Sequence, residues 1–411
     1  MRYKIIYIYQ FLLFFGIFYA ENFSIGSVSI SHLWKIPLLA YMIYVVLNNF
    51  RKRCCLKTKY LAFSYKLCFI KLLNRDIIVA PFEGIVIISR YLNFPILFQF
   101  ISLKIHSHKE CVKFLVRLCQ FGILSYIPFL LGILDEPRDA YGMLELEDYL
   151  NAAKSHVGLF QNPHGASVFL SISFIVLLYY IKTFYLTKLE RWYNYLLLGL
   201  CLYCLYTSYV RTGYLMFVVG MLVFCWPRRN TVSDTLKLIS LLLGSIVFVS
   251  ILLSTNDYFR ARVLELDRNG EKRENVGSGR LIFARNGLDL YFNRSNLYEF
   301  VFGHGQEEVR DNNAKLLHNR AARIYSHNGF VDALVQNGIV GLYFFLGFYM
   351  WIFKQLKKTK NTPSYRLGLS WLFMTLIFQA TQGGVGFLSD LLGALILIVL
   401  ELENKNRIVY E

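Results

Sequence analysis

The chain has 411 residues, of which 55% are hydrophobic and 17% charged, and its formal net charge at pH 7 is +17. The apolar residues gather in blocks of about 15 to 20, long enough to span a bilayer as helices, which excludes an ordinary soluble fold. In a soluble protein such a positive balance would suit nucleic acid, but here much of it lies in short loops between apolar blocks. Membrane topology accounts for it, and no nucleic-acid partner is expected.

The apolar blocks run over Ile5 to Ala20, Leu33 to Leu47, Val116 to Leu134, Ala166 to Leu186, Tyr193 to Val210, Gly213 to Trp226, Leu236 to Leu253, Ile339 to Phe353, Leu367 to Ala380 and Val385 to Leu400. Tyr60 to Leu103 is long enough for two more crossings, although Lys66, Lys71, Arg75, Glu83 and Arg90 interrupt it. The expected fold class is an all-α polytopic membrane protein with about twelve transmembrane helices, or about ten if that interrupted stretch does not cross. Arg2 and Lys4 ahead of the first block, with Phe18-Tyr19-Ala20 at its end, resemble a signal peptide. The parity of the remaining helices favours a retained membrane helix instead.

Orientation follows from the basic stretches Arg51 to Lys59, Lys104 to Arg117, Lys182 to Arg191, Arg228 to Arg229 and Lys354 to Arg366. All fall on one side when both termini are cytoplasmic, as positively charged loops do in an inner-membrane protein. The chain then divides into N-terminal transmembrane helices (1–134), a first periplasmic loop (135–165), central transmembrane helices (166–254), a large periplasmic loop (255–336), and C-terminal transmembrane helices with a short cytoplasmic tail (337–411). None of the eight cysteines lies in a long outward loop, so no disulfide framework is expected. Cys201 and Cys204 have the spacing of a metal or redox pair, but they sit in an apolar helix with no histidine nearby and read as small core residues.

The large loop should do the work, because loops longer than about 12 to 15 residues are functional or disordered, and its helical periodicity and glycine punctuation argue for a partly helical cap. Between Thr255 and Gln336 twelve basic residues face eleven acidic ones, and ten of the twelve are arginine. A planar guanidinium binds phosphate through paired hydrogen bonds, where lysine offers a point charge. An ion-paired solvated surface is the plainer reading for most of them.

Three constellations could carry chemistry. Gly277-Ser278-Gly279-Arg280 reads as a turn and helix cap ahead of Leu281, Ile282, Ala284, Leu288 and Tyr291 at roughly helical spacing. Arg280 would stand in the first turn of an amphipathic helix, within reach of a lipid diphosphate or merely of phospholipid head groups. Arg211, in the short turn Ser208 to Tyr214 between two apolar blocks, either snorkels to the interface or pairs with an anion. Ser326-His327-Asn328-Gly329-Phe330 precedes Asn337-Gly338-Ile339-Val340-Gly341, and a helix beginning near Ser326 would put His327 in its first turn. There the dipole disfavours imidazolium, and a neutral histidine can take a proton from a sugar hydroxyl. A surface histidine that hydrogen-bonds the loop is the alternative, and His318-Asn319 offers the same pair upstream.

In order and content these segments resemble the O-antigen polymerase and ligase superfamily, membrane glycosyltransferases that use undecaprenyl-diphosphate sugars. The resemblance is carried by Phe160-Gln161-Asn162-Pro163-His164-Gly165-Ala166, Arg211-Thr212-Gly213, Gly277-Ser278-Gly279-Arg280, Phe302-Gly303-His304-Gly305, and His327-Asn328 followed by Asn337-Gly338-Ile339-Val340-Gly341. It runs from about Gly158 through Gly341 into the last two helices. It implies a GT-C-like architecture, with Arg211 and Arg280 on the donor diphosphate and His327, rather than His318, as catalytic base or acceptor-positioning residue. It also implies substrate contacts from Asn328, Asn162, His164 and Arg285. Ser155-His156-Val157 departs from the arginine that members often carry just before Gly158, which puts a substrate contact there in doubt.

The mechanism implied is an inverting displacement without cofactor or metal, two arginines replacing the divalent cation that many glycosyltransferases need. Implied partners are undecaprenyl-diphosphate-linked oligosaccharide, membrane lipids and a polysaccharide chain-length regulator. Composition rich in Phe, Tyr, Ile, Lys and Asn resembles the divergent polymerases more than the ligases. A transporter for the same lipid-linked sugars is the reading from another class, and it fits less well, since the charges lie at helix ends and no repeat is apparent.

Overall fold

The computed structural model describes residues 81–134, 157, 158, 160, 163–226, 280–316, 326–360, 362–383 and 387–410, with scattered residues between 24 and 48 and between 236 and 264. The expected crossings over Ile5 to Ala20 and most of those over Leu33 to Leu47 and Leu236 to Leu253 lie outside them. A two-residue antiparallel pair, β1 (Ser24–Ile25) and β2 (Val28–Ser29), is the sole extended structure among the described residues, and the rest is helical. The helices belong to two compact units: Met1–His32, Val116–Val276 and Leu369–Met374 form one, and Leu33–Leu115, Gly277–Gly368 and Thr375–Glu411 the other.

Chain order begins with α1 (Pro81–Lys104), α2 (His108–Leu124) and α3 (Ile127–Leu130). The basic stretch Lys104 to Arg117, expected as a loop, is helical from His108 onward. Buried Cys111, Val112, Leu115, Leu118 and Cys119 recur every three or four residues, so one face of α2 has core to cover while Lys109 and Lys113 face away.

In the first unit α4 (Pro163–Thr183) packs between α5 (Lys188–Thr207) and α6 (Arg211–Cys225). Pro163 stands at the first helical position of α4, where a missing N–H costs nothing. Ser171 Oγ donates to Gly213 O at 3.0 Å, and a Cβ on Gly213 would overlap Ser167, so α4 and α6 touch almost backbone to backbone. Cys201 donates to Leu170 O across the α4–α5 contact, and both Cys201 and Cys204 are buried, as small core residues should be.

The second unit pairs α1 with α12 (Phe387–Tyr410) and carries α7 (Arg280–Arg294), α8 (Leu297–Phe302), α9 (Gln306–Leu316) and α10 (Gly329–Lys358), with α11 (Ser364–Thr381) shared between units. Three helices and the first turns of α10 therefore occupy the described part of the large loop. Leu290, Tyr291, Val309 and Val335 form their core, with Val331 and Leu334 packed against it. Tyr291 stacks on Phe300 at 5.2 Å and donates its hydroxyl to Phe300 O at 2.6 Å. The apolar face of α7 is Phe283, Gly287, Leu290 and Tyr291; Leu281 and Ile282, expected on it, are exposed. The true face is set by what α9 and α10 present, which residue spacing within α7 does not reveal.

α10 is broken at Gly338, whose φ of 69° and ψ of −173° are accessible to glycine alone. At the break Val335 O accepts from His304 N at 2.9 Å and Gln336 O from Gly305 N at 3.2 Å. Carbonyls that lose their helical partners are thereby satisfied by the turn between α8 and α9.

Among the described residues, His108–Leu130, Pro163–Thr183 and Gly329–Lys358 are long and apolar enough to cross a membrane, and Arg211–Cys225 is a shorter apolar helix. Beyond the kink of α10, Ile339, Tyr343, Leu346 and Met350 form an exposed apolar stripe at helical spacing. Such a stripe is at home against lipid tails and unfavourable in water. The chain is thus a helical membrane protein with several candidate spans; three are seen where about twelve were expected, and much of the difference falls on segments that are not described.

Candidate functional site

Three pieces of the second unit converge around His327: the start of α7, the residues leading into α10, and the end of α11. Asn328, not Ser326, starts α10. Its side-chain oxygen accepts from Phe330 N at 3.0 Å and Val331 N at 3.2 Å, and its extended backbone (φ −145°, ψ 110°) places 326–328 outside the helix. His327 accordingly lies just before the cap rather than in the first turn, and the amides expected to disfavour imidazolium are occupied by Asn328 itself. The helix starts three residues after the Ser326 expected for it and ten ahead of the apolar block at Ile339, because the first turns of α10 belong to the loop's own core.

The loop is pinned from two sides. Ser326 N donates to Asp332 Oδ1 at 3.1 Å, and Asn328 Nδ2 donates to Ala380 O at 3.1 Å. A Cβ on Gly329 would meet the Gln379 side chain and stand 3.3 Å from Gln379 O, so the backbone here passes close to the last turn of α11. Arg280, first residue of α7, donates from Nη1 to Thr381 O at 3.2 Å. Ala380 and Thr381 belong to a helix C-terminus, whose unpaired carbonyls attract cations and donors. Arg280 and Asn328 therefore converge on one helix end, with His327 beside them and the Phe283 ring 6.1 Å from its imidazole.

His327 has a φ of 52°, uncommon for a residue with a side chain. Burial first, and then the positive charge of Arg280, hold its pKa below the ordinary histidine value. Its neutrality thus has causes other than the helix dipole expected from the sequence. A depressed histidine contributes stability that is present above its unfolded value of about 6.5 and is lost as pH falls through the lowered one. At neutral pH the ring is a proton acceptor next to a fixed cation. Arg280→Gln removes the second cause, so the His327 titration, followed by NMR of labelled histidines in the detergent-solubilised protein, is expected to move up in pH; an unmoved midpoint would mean that Arg280 does not act on it.

The remaining predicted residues are placed as follows. Arg285 is exposed and, five residues after Arg280, lies roughly 140° around α7, so the two do not share a face. Asn328 has its side-chain oxygen engaged by the backbone of its own helix. Arg211 is the first residue of α6, after a turn in which Tyr209 adopts a φ of 53°. His164, second residue of α4, accepts from Ser167 Oγ through its carbonyl at 2.9 Å. Both belong to the first unit. Asn162 lies outside the described residues.

Three features escaped the sequence reading. The wall formed by Gln379 to Gly383 was signalled by Gly383-Gly384 after an apolar block, and Asp332 by its place in the first turn of α10. The third is a cluster of Glu299, His304 and Glu308, whose ligand-type atoms all lie within 4.8 Å of one another. The sequence separates these residues across two short helices and shows no DxD-like pattern.

Residues 196–346 match the family model described as O-antigen ligase. The matched segment begins within α5 and ends within α10; it contains Arg211, Arg280, Arg285, His327 and Asn328 and leaves Asn162 and His164 outside. No curated protein matches the chain. The match covers the segment that builds the Arg280–His327 site, and over that segment it supports the O-antigen polymerase and ligase superfamily.

Proposed function

We propose that this protein is a membrane glycosyltransferase that polymerises lipid-carried oligosaccharide repeats at the periplasmic face of the inner membrane. The growing glycan leaves undecaprenyl diphosphate and joins a hydroxyl of a new lipid-linked repeat unit. The observation that carries the reading is the pairing, within a family-matched segment, of a neutral, half-buried histidine with an arginine anchored to the end of α11. His327 takes the proton of the acceptor hydroxyl as its oxygen bonds to the anomeric carbon. The anomeric C–O bond to the diphosphate breaks on the opposite face with inversion, and its electron pair leaves on the diphosphate. Arg280, held by its hydrogen bond to Thr381 O, offers charge to that leaving group. Arg211 is the second diphosphate ligand in this reading, with Asn162, His164 and Arg285 as contacts to the sugars or the lipid head group. A polysaccharide chain-length regulator is the expected protein partner.

A second reading, ligation of finished polymer to lipid A core, draws on the description of the matched family as O-antigen ligase. Deleting the gene and resolving lipopolysaccharide on a gel separates the two. Core carrying a single repeat means that ligation survives and polymerisation is lost, as expected; bare core with polymer accumulating on undecaprenyl diphosphate means that the chain is the ligase. A flippase would leave neither product on the periplasmic side.

A further inference from the structure

We propose that Glu299, His304 and Glu308 form a binding site for one divalent transition-metal ion of the zinc class, which staples α8 to α9 across the Gly303–Gly305 turn. His304 is the central ligand of the three. Its side chain is 1% exposed, and Nδ1 has no hydrogen-bond partner. That nitrogen is aimed at Glu308 Oε1, 3.4 Å away, and at Glu299 Oε2, 3.9 Å away. Ligand atoms about 2.0 to 2.2 Å from a tetrahedral ion stand about 3.4 Å from one another, so the His304–Glu308 separation already suits a shared cation. Only the Glu299 oxygen has to close in.

Buried polar nitrogen without a partner is costly. The opposite ring nitrogen has one: Nε2 lies 2.7 Å from Ser295 Oγ. When Nε2 carries the proton and donates to that hydroxyl, Nδ1 presents a lone pair toward the two carboxylates. This is the arrangement in which a ligating histidine is oriented by a partner on its other nitrogen. The backbone adds rigidity, since His304 N is held by Val335 O and the flanking Gly303 and Gly305 adopt φ values of 84° and 85°. One imidazole and two carboxylates form a mixed N/O set, which suits Zn²⁺ over the all-oxygen preference of Mg²⁺ and Ca²⁺. Nothing in this inference depends on the reaction proposed for His327.

The test uses the full-length protein, purified in detergent, stripped with chelator and titrated with ZnCl₂ by calorimetry, with the melting temperature followed in parallel. Wild type is expected to bind Zn²⁺ with micromolar or tighter affinity and to melt higher when loaded. Glu299→Gln keeps the capping box of α8, since glutamine serves at that position as well as glutamate. Glu308→Gln alters a side chain that is 34% exposed. Each variant is expected to melt like wild type without metal and to lose one bound equivalent, or at least about tenfold in affinity. Equal binding by wild type and both variants would place the metal on the thiols and overturn the proposal. So would a wild-type melting temperature indifferent to Zn²⁺ combined with a lower metal-free melting temperature for Glu308→Gln, the pattern of a simple imidazolium–carboxylate pair.

Discussion

His327→Asn and His327→Ala are both expected to lower repeat-unit polymerisation by about a hundredfold or more, as loss of a general base does. The two substitutions separate chemistry from backbone geometry. A φ of 52° is tolerated by asparagine better than by other residues with a side chain, so His327→Asn should keep the loop between Arg280 and α11 intact while removing the proton acceptor. The measurement is the length of the lipopolysaccharide ladder in a deletion strain that expresses each variant at matched membrane levels. A full-length ladder from the asparagine variant would show that position 327 serves conformation and not proton transfer, and the mechanism proposed here would fall with it.

Gly338→Ala is expected to destabilise the second unit by about 3 kcal/mol or more. Two costs combine. The φ and ψ of Gly338 belong to a region that a Cβ forbids, and an added Cβ would overlap Val301 O and C. Gly303→Ala should behave alike, because its Cβ would meet Gln336 and Asn337 backbone and its own φ is 84°. Backbone atoms on both sides cannot rotate out of the way as a long side chain could. The expected readout is a lower melting temperature of the detergent-purified protein and faster protease cleavage within α7 to α9. An unchanged melting temperature in both variants would mean that the α8–α9 turn is not held against the break in α10.

Hydropathy was enough to read a helical membrane protein, and the starts of α4 and α6 fall within a few residues of the apolar blocks because Pro163 and the polar turn 208–211 punctuate them. Arg280 in the first turn of a helix was likewise legible from the glycines and serine before it. The apolar blocks understate helix length where apolar content and helix do not coincide. α2 extends through Lys109 and Lys113 because its opposite face is buried, and α10 starts at Gly329 because its first turns pack on other loop helices rather than on lipid.

The site divides in the same way. Residue types and local spacing, which act within a turn or two, determined by themselves that this chain is a helical membrane protein with an arginine-rich loop and that Arg280 opens a helix. They also marked His327-Asn328 and Asn337-Gly338 as points of interest. Only the tertiary structure decided that Asn328 is the cap, that Arg280 and Asn328 meet at the end of α11, that Arg285 faces away, and that Glu299 and Glu308 surround His304. The meeting at α11 and the cluster around His304 depend on carbonyls and carboxylates brought from a different helix: Ala380 and Thr381 lie 52 and 101 residues from their donors. Hydrogen-bond acceptors left open at a helix end or a kink must find donors somewhere, and which donors they find is a property of packing that no local pattern encodes.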